Sequence, residues 1–117
     1  MSEIPIEKNA VLGDDELQVG LRSVNAKWGE FVIRSAGEVW GMPLIDQKTK
    51  AFITIAIDIV NCDLDSGSAF STHINMARKQ GATFEEIEEL LLFLCVYTGF
   101  NKIAPAFNKL NEIQSKE

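Results

Sequence analysis

Apolar side chains recur every three or four residues over most of this chain, the spacing of one helix face. From Asp14, a residue type that caps helices, Leu17, Leu21, Val24, Trp28, Phe31 and Ser35 follow by such steps, which predicts one helix. Gly37 and Gly41 loosen its end, and Pro43 opens a turn. Asp46 caps a second predicted helix over about residues 47–61. Its run Ala51, Phe52, Ile53, Ile55, Ala56, Ile57 leaves almost no polar side, so it belongs in the centre of the fold or between subunits. The β-branched content would also suit a strand, but the run is long for one and does not alternate.

Asn61 to Asp65 reads as a short loop, and Ser66 to Gln80 as a third helix ended by Gly81. Thr83 and Glu86 have the spacing of a capping box and start a fourth helix, which ends at Gly99. A last helix is expected from Lys102 to Ser115, capped by Asn101, with Pro105 in its first turn and Ile103, Ala106, Phe107, Leu110 and Ile113 as its buried stripe. Residues 1–12 show no period and read as an extended arm on the domain or on a neighbouring subunit. The expected fold class is all-α, with five helices, no strand and no repeat.

The 117 residues fit one domain, 1–117. A net charge of −6 leaves no basic stripe for phosphates, which excludes nucleic acid as a partner. The stretch "MSEIPIEKNA" lacks the basic and apolar regions of a signal peptide, and the longest apolar run, Leu90 to Tyr97, is far short of a membrane span. Cys62 and Cys95 form no CxxC pair, so a reducing, cytoplasmic compartment is expected.

His73 is the one histidine, and without HxxxH or CxxC spacing it points to no metal site. Two readings stand for it: a residue packed on a half-buried face, or an acid/base group. Asp58 is the second anomaly, a carboxylate inside "ITIAIDIV", where an unpaired charge is costly. If helices two and three run antiparallel, Asp58 lies within a turn or so of facing His73. Otherwise it points to the solvated helix end or across a subunit contact. Glu38, Arg34 and Lys50, close to Phe31, Trp40 and Phe52, suit either a substrate carboxylate or surface ion pairs. Trp28, Phe70, Phe93 and Tyr97 suit either a core or the wall of a pocket. Cys62, near a helix end, is either an inert or a reactive thiol.

The blocks "VLGDDE", "GEVWGMPLIDQKTKAFITIAI", "THINMARKQGATFEEIEELLLFLCVYTGF" and "APAFNKLNEI" occur in the order seen in the carboxymuconolactone decarboxylase family. The chain resembles that family from about Val11 to Ile113, most specifically from His73 to Phe100. The resemblance implies an all-helical fold of five to six helices shared with alkylhydroperoxidase D, and a homo-oligomer, trimer or hexamer, with sites near subunit interfaces. It also implies one of two chemistries: cofactor-free decarboxylation of a carboxylated lactone, or redox work by a Cys-x-x-Cys pair before the histidine. That pair would fall at Ser66 and Ala69, seven and four positions before His73, and neither is cysteine. A thiol relay needs two sulfurs, so peroxidase activity is not expected.

The decarboxylase branch matches at "GEVW", "GAT" and "YTGF". It departs at Ala69, where an acid is usual, at Lys50, where arginine is common, and at Asn101, where proline is usual. By this resemblance the function is that of a lyase acting on a small unsaturated carboxylic acid or lactone. No cofactor is needed, because the conjugated carbonyl takes the electrons. His73 would be the acid/base group or electrostatic stabiliser, since histidine is the side-chain type that titrates near neutrality. Glu38 or Asp58 would orient it, and Arg34 or Lys50 would anchor a second carboxylate. Trp40, Phe70 and Tyr97 would form a dry wall. The alternatives are a non-catalytic oligomeric scaffold or ligand-binding protein, and a redox protein using Cys62.

Overall fold

The computed structural model describes residues 3–65 and 69–117, and among them it contains helices and no strand. A 3-10 turn, Ile6–Lys8, precedes six α-helices: α1 Asp15–Val24, α2 Ala26–Trp40, α3 Gln47–Val60, α4 Ala69–Lys79, α5 Phe84–Thr98 and α6 Phe100–Ser115. They fall into two compact units, one up to Lys50 and one from Ala51 onward. No helix among the described residues is long and apolar enough to cross a membrane. Ser66, the expected start of the third helix, lies outside the described residues.

In the first unit the single helix expected after Asp14 is two. Asn25 stands between them in extended backbone (φ −168°, ψ 132°), and its side chain accepts from the Trp28 amide at 2.9 Å. A short polar side chain thus competes with the helix for its own backbone and restarts it. Asp14 caps α1 as expected, accepting from the Leu17 amide at 3.0 Å. The break also changes which side of α2 is buried. Gly29, Ile33, Gly37 and Trp40 turn inward, while Trp28 and Phe31 are exposed. Two of those inward positions leave little room for a side chain, Gly29 against backbone and Gly37 against a side chain that would have to move. A Cβ at Gly29 would stand 2.7 Å from the Arg22 backbone of α1, and one at Gly37 2.5 Å from the Leu12 side chain.

The N-terminal arm lies on its own unit, held by Asn9. Its Oδ1 accepts from the amides of Val11 (2.9 Å) and Leu12 (3.0 Å), and its Nδ2 donates to the Gly37 carbonyl at 2.9 Å. Gln47 makes a second tie, accepting from the Ala10 amide at 2.8 Å and donating to the Trp40 carbonyl at 2.7 Å.

The second unit has the denser core. Ile55 and Ile59 of α3, Phe70 and Ile74 of α4, Ile87 and Leu91 of α5 are fully buried, as is Leu110 of α6. Each such side chain contributes about 1.5–3 kcal/mol relative to exposure. The predicted capping box closes at the start of α5: Thr83 accepts from the Glu86 amide at 3.0 Å and Glu86 accepts from the Thr83 amide at 2.9 Å. α5 and α6 pack on each other across Gly99, whose φ of 95° ends one helix and lets the next begin at once. α6 therefore starts two residues earlier than expected, Asn101 is inside it rather than its cap, and Pro105 sits in the second turn. Proline has no N–H, so the Asn101 carbonyl receives no helical hydrogen bond from it.

Candidate active site

Two elements of the second unit carry the site. α3 presents Ala51, Ile55, Asp58 and Ile59 to the interior, so an acidic residue occupies a core position of an otherwise apolar stripe. On α4 the stripe Phe70, Ile74, Ala77 is buried and His73 stands at its edge. His73 Nδ1 and Asp58 Oδ2 are 2.5 Å apart. The Asp58 side chain is 8% exposed and that of His73 23%, so the carboxylate is sealed and the imidazole is reached from one side. An ionised carboxylate only accepts hydrogen bonds, which draws a proton to Nδ1 and leaves Nε2 as the second, separate functional atom.

Burial pushes the Asp58 carboxyl above its ordinary value of 3.8, because the charged form is desolvated. The hydrogen bond from His73 and its charge pull the other way, and Asp63 adds a smaller upward push; burial wins. The Asp63 amide also donates to the Asp58 carbonyl at 2.8 Å, closing the loop after α3. Sequence reasoning missed Asp63, although an acid five positions after a buried carboxylate in a tight loop is a readable signal.

The other anticipated residues are less gathered. In the first unit, the Lys50 ammonium donates to the carbonyls of Val39 (3.2 Å), Trp40 (3.0 Å) and Met42 (2.7 Å). Its three protons are matched to the C-terminal end of α2, where a cation also offsets the helix dipole. Arg34 is exposed, its guanidinium 5.6 Å from the centre of the Phe31 ring. Glu38 is exposed on α2, and Trp40 is buried. In the second unit, Phe70 is core rather than pocket wall, because it shares a face with Ile74. Tyr97 is 75% exposed, with its ring centre 5.3 Å from that of Phe93.

Cys62 follows α3 in left-handed backbone (φ 56°) and is exposed, with Lys102 Nζ 3.5 Å from its sulfur and 2.8 Å from the Val60 carbonyl. Cys95, on α5, is likewise a free thiol. Among the described residues no three metal-binding side chains converge.

The model of the Carboxymuconolactone decarboxylase family matches residues 27–112. The chain belongs to that family. The matched stretch runs from the start of α2 into α6, so Arg34, Glu38, Lys50, Asp58, His73 and Tyr97 all lie inside it. A 4-carboxymuconolactone decarboxylase from Acinetobacter baylyi (strain ATCC 33305 / BD413 / ADP1) is 26% identical over 110 residues, covering 91% of this chain and 80% of the relative. No solved structure matches. The all-helical architecture and the absence of strands among the described residues agree with the fold that the family resemblance implies.

Proposed function

We propose that the chain is a carboxy-lyase of the carboxymuconolactone decarboxylase type, acting without a cofactor on a small unsaturated carboxylic acid or lactone. The observation that carries this reading is the sealed Asp58 carboxylate 2.5 Å from His73 Nδ1. The name of the Acinetobacter relative supports the reaction class. In the reaction, the bond from the substrate carbon to its carboxylate breaks, carbon dioxide leaves, and the electron pair moves into the conjugated carbonyl as an enolate. His73 then returns a proton from Nε2 to carbon, while Asp58 holds the ring and offsets the imidazolium charge. Asp58 is a positioning residue in this scheme. The same reading takes the protein to be cytoplasmic and to work as a homo-oligomer. The exposed apolar residues of α2, α3 and α5, among them Phe31, Ile57 and Val96, support self-association.

A second reading, a non-catalytic or ligand-binding protein of the same fold, draws on one observation. The ammonium of Lys50, expected to anchor a carboxylate, is held by three carbonyls of its own chain. The two are separated by following decarboxylation of 4-carboxymuconolactone by its ultraviolet absorbance. Turnover that His73→Ala lowers by about 10²–10⁴-fold supports the first. Absence of turnover with any small unsaturated lactone acid, alongside saturable binding of the same compounds, supports the second.

A further inference from the structure

At the end of α4 the chain turns back over its own last turn. Gly81 is in left-handed backbone (φ 93°), its amide donates to the Arg78 carbonyl at 3.0 Å, and the Ala82 amide donates to the Ala77 carbonyl at 3.0 Å. The turn brings the Ala82 carbonyl to Arg78, whose Nη1 donates to it at 2.8 Å. The guanidinium also lies over the Phe84 ring of α5, 4.2 Å from its centre. Together the ring and the carbonyl fix the plane of the group.

The other edge of that guanidinium is only half used. Nη2 and Nε lie side by side on it and together match the two oxygens of a carboxylate. Nη2 donates to Glu117 Oε1 at 3.1 Å, while Nε is buried and has no acceptor among the described residues. A buried donor left in that state is costly. Arg78 and Glu117 meet in an open cleft of about 340 Å³, lined also by Asn75, Lys79, Gly81 and Ala82. That lining holds two cations and one acid. The acid is the replaceable part, since its side chain is 47% exposed and an ion pair so placed is weak. We propose that this cleft binds a small carboxylate ion, which takes both N–H groups of the Arg78 edge and displaces the Glu117 side chain. Glu117 is then an internal stand-in for the ligand, and its contact with Nη2 shows that a carboxylate fits there. The site is separate from the His73 site. Five positions along α4 put Arg78 about 140° round the helix from His73, so the proposal does not depend on the decarboxylase reading.

The test is a titration of the ¹⁵N-labelled full chain with succinate, followed by NMR, with sodium chloride holding the ionic strength constant. The Arg78 Nε–H signal should move downfield to saturation, together with the amide signals of Gly81 and Ala82. The Nε–H signals of Arg22 and Arg34 serve as controls and should not follow that curve. Glu117→Gln removes the internal competitor and should tighten binding about two- to fivefold. Arg78→Lys keeps the charge but loses the two-donor edge, and should abolish the saturable shifts of Gly81 and Ala82. A helical circular-dichroism signal checks that variant's fold, and if it does not fold the Glu117→Gln comparison still decides. No saturable shift in either wild type or Glu117→Gln overturns the proposal. So does an affinity that Glu117→Gln leaves unchanged, or binding that a folded Arg78→Lys retains. Inorganic phosphate should bind more weakly than succinate, and phosphate that binds as tightly overturns the assignment of the ligand as a carboxylate.

Discussion

Asn9 in the first unit and Asp58 in the second are the two buried polar side chains among the described residues, and they are buried in opposite ways. Asn9 is neutral, and all its contacts go to backbone: two amides of its own arm and one carbonyl of α2. Every group it meets has a fixed protonation state, so it can only hold a shape. Asp58 carries a charge that burial opposes, and its partner is a side chain that can gain or lose a proton. The first arrangement is complete. The second is held open by a titratable group that is still reachable from outside, which is the arrangement chemistry requires.

The largest expected effect that sharpens this contrast is on His73. His73→Ala should lower kcat/KM by about 10²–10⁴-fold and also lower the melting temperature, because it leaves the buried Asp58 carboxylate without its partner, whereas Asn9→Ala should leave the activity of folded protein unchanged. Equal losses of activity in both would erase the distinction. Asp58→Asn keeps the size of the side chain and removes the charge. By freeing the ring it should cost up to about 100-fold in kcat, with a smaller effect on KM, and the acid limb of the pH–rate profile should move. A profile that keeps its shape would leave Asp58 a purely structural role.

Next comes stability. Asn9→Ala strands the amides of Val11 and Leu12 and takes one of two donors from the Gly37 carbonyl, which keeps the Gly41 amide, and chemical denaturation should show a loss of about 1–3 kcal/mol. Lys50→Met, which keeps the stem but removes the cation from the end of α2, should cost about 0.3–1 kcal/mol in the same measurement. The smallest effect is in pH. Since burial raises the Asp58 carboxyl above 3.8, its favourable contribution is complete below that value and is lost as pH rises through the raised one. The stability of the wild-type chain relative to Asp58→Asn should therefore fall as pH rises across that window, while the difference from Asn9→Ala stays flat. A wild-type chain that gains instead would mean that the attraction to His73 outweighs burial.

The elements legible in the sequence were those marked by a local device: Asp14, Asp46, the Thr83–Glu86 box and Gly99. Each acts through its nearest neighbours, so the sequence around it carries the whole argument. α2 was misread because its buried face is built partly from Gly29 and Gly37, which no hydrophobic pattern records. They are favoured by how closely the Arg22 backbone and the Leu12 side chain approach, a tertiary fact. The break at Asn25 was readable as a cap but was hidden by an apolar period that runs through it. At the site, Asp58 and His73 drew notice as residues out of place, a polar group in an apolar run and a lone imidazole. Lys50 was read by charge and family position, yet its partners are carbonyls, and backbone acceptors have no signature in the sequence.

The contact between His73 Nδ1 and Asp58 has a stereochemical consequence. A ring tethered by one nitrogen cannot turn over, so in the proposed reaction its other nitrogen would meet the substrate from a single direction. A proton returned that way reaches the same face of the substrate carbon at every turnover. In heavy water the product should therefore carry its deuterium in one configuration, and loosening the tether with Asp58→Asn should erode that preference.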